Sequence, residues 1–412
     1  MIPVLLFDCS AALLLALFFT LFLAAPRIRE KKRPAPAEKT PRPMPRAALI
    51  IPFTGRSRDV EESLHSLLRQ DYPELTVYAA TRGDGDPART LALELAGLYP
   101  RLRCVECGPA ELCGQKNRNL LDCLAAIDAA PADARPEIYV FCDANHRASP
   151  DFVSRLVQPL LRGESSFSTG YRCTLLLDNS LYPAAFHAIN RFMRFLESLP
   201  VFTQPWGGAL AADVSVFEAA GVRELWSRTV VDDSSLAGLL KKRGLRAVYC
   251  PDAVLNSPVG ATSREHLDSW LFRQMLYPKF YTFRSWLLIG ACLAWFGATG
   301  LAAVCLVALR PVAVACAGVF LPSELPVPAL LIPGAAYGPA FFYVGALLLL
   351  QEMLRVRLAR QCPRKVWFRA MLCAVRSVYV SYAETAPARE FSWRGLRYRL
   401  STDGTVCRVD RE

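Results

Sequence analysis

The chain has 412 residues, 53% of them hydrophobic, with a positive mean hydropathy and a formal net charge of +11. That length allows about two or three domains. Apolarity with a basic excess argues against an ordinary soluble protein, and for one whose Lys and Arg lie near anionic lipid or near phosphates of a substrate. The 14 cysteines show no zinc-site spacing: Cys104 and Cys107 bracket a VE with no second pair. They read as small buried hydrophobes in a reducing compartment.

In chain order, residues 2–25 form an apolar run of spanning length. The basic flank RIREKKR (27–33) follows it, against Asp8 alone before it, which places residue 27 onward in the cytoplasm. Charges after the run rather than before it mark an anchor (1–26), not a cleaved signal peptide. A Pro-rich linker (27–46) follows. Residues 47–262 then alternate short apolar runs with amphipathic segments: strands at 47–53, 75–81, 101–107 and 137–143, helices at 60–70, 88–100 and 117–128. Strands apolar on both faces in a βαβα order predict a parallel sheet covered by helices. An interfacial helix is expected over 263–285, and a membrane region over 286–354 with spans at 286–309 and 334–351. A further span would put RVRLARQCPRK (355–365) outside, against the positive-inside rule. The tail, 355–412, is therefore cytoplasmic, and 366–384 has the spacing of an amphipathic helix, interfacial or packed on the soluble domain.

In an open parallel sheet, ligands bind beyond the carboxyl ends of the strands. The first strand ends at Pro52-Phe53, and the second leads into RGDGDPA, where Asp84 or Asp86 can accept hydrogen bonds from a base or ribose. The plainer reading of DGD is a solvated turn. The strand EIYVFCD ends at Asp143, where a carboxylate can bind a divalent cation that neutralises a diphosphate. Asn145, two residues on, offers a neutral oxygen acceptable to Mg²⁺ or Mn²⁺; the plainer reading makes Asp143 a cap. Lys116 sits just before a helix, where it can meet a phosphate or simply be exposed. Asp232 and Asp233 precede the helix SSLAGLLKKRG. They are ordinary N-cap residues, or a pair of carboxylates in which one has a raised pKa and serves as general base.

These pieces, in this order, resemble the inverting glycosyltransferases of family 2 with the GT-A fold, and among them the ceramide glucosyltransferase-like branch, family 21. The matching landmarks are the strand-then-PF opening, GDGDPA, KNRNL, CDANHRASPDF, STGYR (168–172), WGGALAADVSVFEAAGV (206–222), VVDDSSLAGLLKKRG and the ending FSWRGLRYRL (391–400). The resemblance implies an α/β, Rossmann-like GT-A domain between N- and C-terminal transmembrane helices, with interfacial amphipathic helices. Pro52, Asp84 or Asp86, Lys116, Asp143 and Tyr277 would hold a nucleotide-sugar donor, and Asp143 with Asn145 an Mg²⁺ or Mn²⁺ ion. Asp233 would be the base, with Asp232 and Arg273 beside it. Trp206, Gly207, Gly208 and Trp270 would face the acceptor. The branch also expects a (Q/R)-x-x-R-W motif, which here reads RQMLY: Leu276 replaces Arg and Tyr277 replaces Trp, leaving Arg273, Lys279 or Arg284 to supply the charge. Gly83 likewise stands where the branch often has Asp.

The implied activity is transfer of a sugar from a nucleotide sugar, a UDP-hexose, to the hydroxyl of a membrane lipid (ceramide-, hopanoid- or diacylglycerol-like). It would take place at the cytoplasmic face of the cell's inner membrane, with no nucleic acid and no obligate protein partner. A processive polysaccharide synthase shares the fold but needs more spans for a polymer channel. A catalytically silent binder of lipid or nucleotide sugar is the reading from another class.

Overall fold

The computed structural model describes residues 10, 12–13, 44–83, 85–320 and 331–412. The anchor expected at 2–25, nearly all of the linker at 27–46, and Asp84 lie outside the described residues.

The expected βαβα order holds. Strands β1 (Ala47–Pro52), β2 (Leu75–Arg82), β3 (Leu102–Cys107) and β4 (Ile138–Cys142) pair in parallel in the order β3-β2-β1-β4, with Ile50 opposite both Tyr78 and Phe141. Alternate residues of β1 point to opposite faces. Leu49 and Ile51 meet the helices Arg58–Leu68, Pro87–Leu98 and Phe152–Leu161 on one side. Ala48 and Ile50 meet Gln115–Asp128 and Asp233–Lys242 on the other. β1, β2 and β4 are buried on both faces, which is why they read as apolar runs, whereas β3 at the sheet edge exposes Arg103, Cys104 and Glu106.

Beyond β4 the sheet becomes mixed. After β5 (Arg147–Ala148), the strands β6 (Phe167–Leu176), β7 (Ala209–Asp213) and β8 (Ala247–Val259) extend it as β4-β7-β6-β8-β5. β7 runs antiparallel to β4, and that reversal builds the site. Cys142 pairs with Ala209, so the residue after β4 faces the residue before β7: the Asp143 backbone N–H donates to Gly208 O at 3.3 Å.

The helix Arg264–Tyr281, expected at the interface, packs with Leu181–Glu197 and Arg364–Thr385 around Leu267, Leu271, Trp367 and Ala370. Of the two readings of 366–384, packing on the soluble domain is the one the structure shows. One face of its helix is buried in this cluster, while Phe368, Leu372 and Val375 are exposed on the other. The tail folds into a three-stranded antiparallel sheet, β9 (Glu390–Trp393), β10 (Leu396–Leu400) and β11 (Val406–Arg411), which sequence reading did not anticipate. It covers Leu276, Tyr277, Val230 and Val231.

The segment expected as the span 286–309 lies in the helix Phe283–Phe320, and that at 334–351 in Leu331–Leu358. The helix Phe283–Phe320 runs on through Pro311. Among the described residues one stretch, Phe283–Ala302, is long and apolar enough to cross a membrane, and little of it is buried. The described cysteines are all free thiols; Cys104 is exposed and Cys107 buried.

Candidate active site

Three chain segments converge beyond the end of β4. Helix Gln115–Asp128 brings Lys116, the strand end brings Asp143, and the start of helix Asp233–Lys242 brings Asp232 and Asp233. The Lys116 ammonium lies 2.8 Å from Asp143 Oδ1 and 2.9 Å from Asp232 Oδ2, and donates to Gly207 O at 3.3 Å. Asp232 is 2% exposed. Its Oδ2 has no aligned hydrogen-bond donor, so ionic approach to Lys116 is what compensates its burial.

Local chemistry explains the convergence. Gly114 N donates to Thr229 O at 2.9 Å, and the buried Asn117 amide donates to the same carbonyl at 2.8 Å, clamping the Lys116 helix to the segment that leads into Asp232. Trp226 Nε1 donates to Asp232 O at 3.0 Å. At Gly207 any β-carbon would overlap the Asp232 carboxylate, and at Gly208 the Trp206 ring. Gly207→Ala is therefore expected to cost about 1–3 kcal/mol by overpacking and to lower turnover at least ~10-fold. Melting curves and initial rates on the same preparation check this, and wild-type values in both would show that the close approach is dispensable.

Three carboxylates against one ammonium leave the cluster negative, and the titration of its members follows. Burial alone would lower Lys116, but Asp143 and Asp232 hold its pKa above the ordinary lysine value. Burial works to raise Asp143, but Lys116, His146 and Arg172 together outweigh it and keep the carboxyl below the usual range. Asp233, half-buried and facing the Asp232 charge, is pushed up to about 6, first by burial and then by that repulsion. It is poised to exchange a proton near neutrality.

The other expected residues divide. Asp86 is the N-cap of helix Pro87–Leu98, accepting from Ala88 N (2.9 Å), Gly55 N (2.8 Å) and Thr54 Oγ1 (2.7 Å); it ties together the loops after β1 and β2. Pro52 ends β1 opposite Ala80. Asn145 is exposed and makes no side-chain hydrogen bond among the described residues. Trp206 packs on His146 and Tyr171, with ring centroids 5.4 and 5.0 Å apart. Trp270 is 8% exposed, against Phe186 at 4.7 Å. Tyr277, expected to stack on a sugar, is 6% exposed with its ring edge-on to Phe391; the tail sheet takes up the surface that stacking would need. Lys279 donates to Thr385 O, Ala386 O and Ala388 O, each at 2.8 Å, so its charge is committed to a helix end rather than to the site.

Sequence reading missed Arg172 and His146. The Arg172 guanidinium lies 5.4 Å from the Trp270 ring, 5.7 Å from Trp206 and 5.9 Å from Tyr171, and its charge helps to keep Asp143 ionised. His146 is buried with neither ring nitrogen hydrogen-bonded, and burial pushes its pKa down to about 3. The signals were the GYR of STGYR and the H of DANHR, both noticed only as parts of longer motifs. The donor set suits a divalent cation: Asp143 has one oxygen engaged by Lys116, Asn145 is unengaged, and the cluster is negative. No group of three or more His, Cys, Asp or Glu able to hold a metal by itself occurs among the described residues, and Mg²⁺ at phosphate sites is held by one or two carboxylates with substrate oxygens completing its shell.

Comparison with solved structures finds similarity to the mannosyltransferase PcManGT from Pyrobaculum calidifontis in complex with GDP-Man and Mn2+, at 19% identity over 91% of this chain and 99% of that one, with a TM-score of 0.48. No curated protein matches. The family model described as Glycosyl transferase family 21 matches residues 11–317, well over half of the sequence. The chain belongs to glycosyl transferase family 21.

Proposed function

We propose that this chain is a membrane-bound inverting glycosyltransferase of GT-A type that moves a hexose from a nucleotide sugar, a UDP-hexose, to a hydroxyl group of a lipid. The observation that carries the reading is Asp233: a half-buried carboxylate with its pKa near 6, beside a Lys116–Asp143–Asp232 cluster whose Asp232 is buried, at the end of a parallel sheet. A general base works best with a pKa near the operating pH.

In this reading Asp233 takes the proton of the acceptor hydroxyl as its oxygen attacks the anomeric carbon. The bond from that carbon to the diphosphate oxygen breaks on the opposite face, and the nucleoside diphosphate leaves with the electron pair. Asp232, fixed by Lys116, keeps Asp233 basic and oriented. Lys116 and Arg273 supply positive charge toward the diphosphate, and Pro52 with the Asp86-tied loops borders the base and ribose. Asp143 and Asn145 would hold an Mg²⁺ or Mn²⁺ ion, which when bound neutralises diphosphate charge. Trp206, Gly207 and Gly208 line the acceptor side, and Trp270 supports it through Arg172.

The lipid acceptor is supported by the apolar stretch Phe283–Ala302 and by the outward Phe368, Leu372 and Val375 of helix Arg364–Thr385, which suit a bilayer and its interface. We place the protein in the cell's inner membrane as a multi-pass protein with a cytoplasmic catalytic domain. The test is a purified-membrane assay with a panel of UDP-sugars and a total lipid extract, with and without chelator, on wild type and Asp233→Ala. New glycolipid that needs Asp233 and metal supports the proposal. Growing polymer would point to a synthase instead, and nucleotide-sugar binding with no transfer would point to a silent relative.

A further inference from the structure

The C-terminal hairpin carries an arginine in a conformation that arginine disfavours. Trp393 pairs with Leu396 across the turn, and the two residues between them, Arg394 and Gly395, have φ of 54° and 73°. Two positive φ values define the turn type that favours Asn-Gly. Arg394 is the non-glycine residue with positive φ among the described residues, and strain of this kind tends to persist where a side chain has a task.

The charge is also unusually placed. Arg394 Cζ lies 5.7 Å from the centroid of the Trp393 ring, and Arg273 Cζ lies 5.8 Å from the same ring. Elsewhere in the tail, Arg397, Arg399 and Arg408 each meet a carboxylate, of Glu412, Glu390 and Asp410. Among the described residues neither Arg273 nor Arg394 has one; Arg273 donates only to Ser269 Oγ at 3.2 Å. Two unneutralised guanidiniums gathered on one indole repel each other, and a bound dianion would relieve the repulsion.

This pair borders the cluster already described. Tyr277, one turn after Arg273, feels the charges of both Arg273 and Asp233. Tyr398, on the strand after Arg394, accepts a hydrogen bond from Gln115 N at 3.3 Å, next to Lys116. Leu276, where the family pattern has arginine, is fully buried under this sheet; a cation there would point into an apolar core. We propose that the C-terminal hairpin is part of the donor site and that Arg394, with Arg273, holds the diphosphate of the nucleotide, in place of an arginine at 276. The proposal rests on the nucleotide-sugar reading above.

The test uses the purified full chain and measures affinity for UDP, UMP and uridine in wild type, Arg394→Asn and Arg394→Lys. Asparagine tolerates the left-handed turn, so Arg394→Asn is expected to keep the wild-type melting temperature and uridine affinity. Its UDP affinity is expected to fall by about ten- to a hundredfold, the scale of one charge-assisted hydrogen bond. Arg394→Lys is expected to retain most UDP affinity. Wild-type UDP affinity in Arg394→Asn, or an equal loss for uridine and UDP, would overturn the assignment of Arg394 alone. Failure of the wild-type chain to bind UDP would overturn the underlying reading with it.

Discussion

Asp233→Asn is expected to abolish sugar transfer while making the protein more stable at neutral pH. A general base contributes about 10²–10⁴-fold, so the loss should fall in that range or exceed it. The stability change follows from linkage. The Asp233 carboxyl is pushed up from the ordinary aspartate value to about 6, by burial first and by Asp232 second. A group with a raised folded pKa contributes its full stability below its unfolded pKa and loses it as pH rises through the folded value. Above pH ~6 wild type therefore carries a charge that the fold resists, and the neutral amide removes it, for a gain of about 1–3 kcal/mol. Below pH ~4 the two proteins should melt alike. In wild type, kcat/KM should rise with pH and level off above about 6, since the base must be unprotonated. Thermal melts at pH 4 and 7.5, with a pH–rate profile, check both sides. Residual turnover near wild type, or a flat profile from pH 5 to 7, would remove Asp233 from the mechanism.

The half of the fold that lies near in sequence was legible; the half made by distant pairing was not. The runs AALIIP and IYVFC announced buried parallel strands because nothing polar interrupts them, and the strand-end rule then placed Asp143. Asp86 shows what local reading leaves open. A carboxylate in a DGD turn reads as a ribose contact or a solvated turn, and its three backbone and hydroxyl donors add a role that neither reading contained, a helix cap that ties two loops. Leu276 shows a stronger limit. As sequence it is an arginine lost from a motif; in the fold it is 0% exposed against Tyr398, Leu400 and Val406. Those partners lie more than a hundred residues away, and periodicity reveals that an apolar face exists without saying what covers it. The same blindness hid the Arg172 cage, whose rings come from β6, the loop before β7 and helix Arg264–Tyr281.

Lys116→Met is expected to be the most damaging single change in the cluster for stability. It leaves Asp143 and the 2%-exposed Asp232 facing each other with no cation between them, and breaking a buried pair by removing one partner costs about 3–5 kcal/mol. The contribution of Asp143 to the pH dependence should change sign. In wild type, Lys116, with His146 and Arg172, holds Asp143 below the usual range; that stability is present above the unfolded value and lost as pH falls through the folded one. Without the lysine, burial raises the Asp143 carboxyl instead, so Lys116→Met should gain more stability than wild type does as pH falls from 7 toward 5. Adding Asp232→Asn to Lys116→Met removes the repelling charge and should recover most of the stability, with a coupling above about 1 kcal/mol in the double-mutant cycle. Activity should not return with it. Burial, the first cause of the raised Asp233 pKa, stays in the rescued fold, and the losses of Asp232 and Lys116 act on it in opposite directions; what the rescued fold lacks is the ammonium toward the diphosphate. Denaturant melts of the four proteins at pH 5 and 7 give the cycle, and additive effects would mean that Lys116 and Asp232 do not act as a pair. The wild-type site holds one lysine against three carboxylates, and in the proposed mechanism that arrangement gives up stability at neutral pH to keep Asp233 ready to accept a proton.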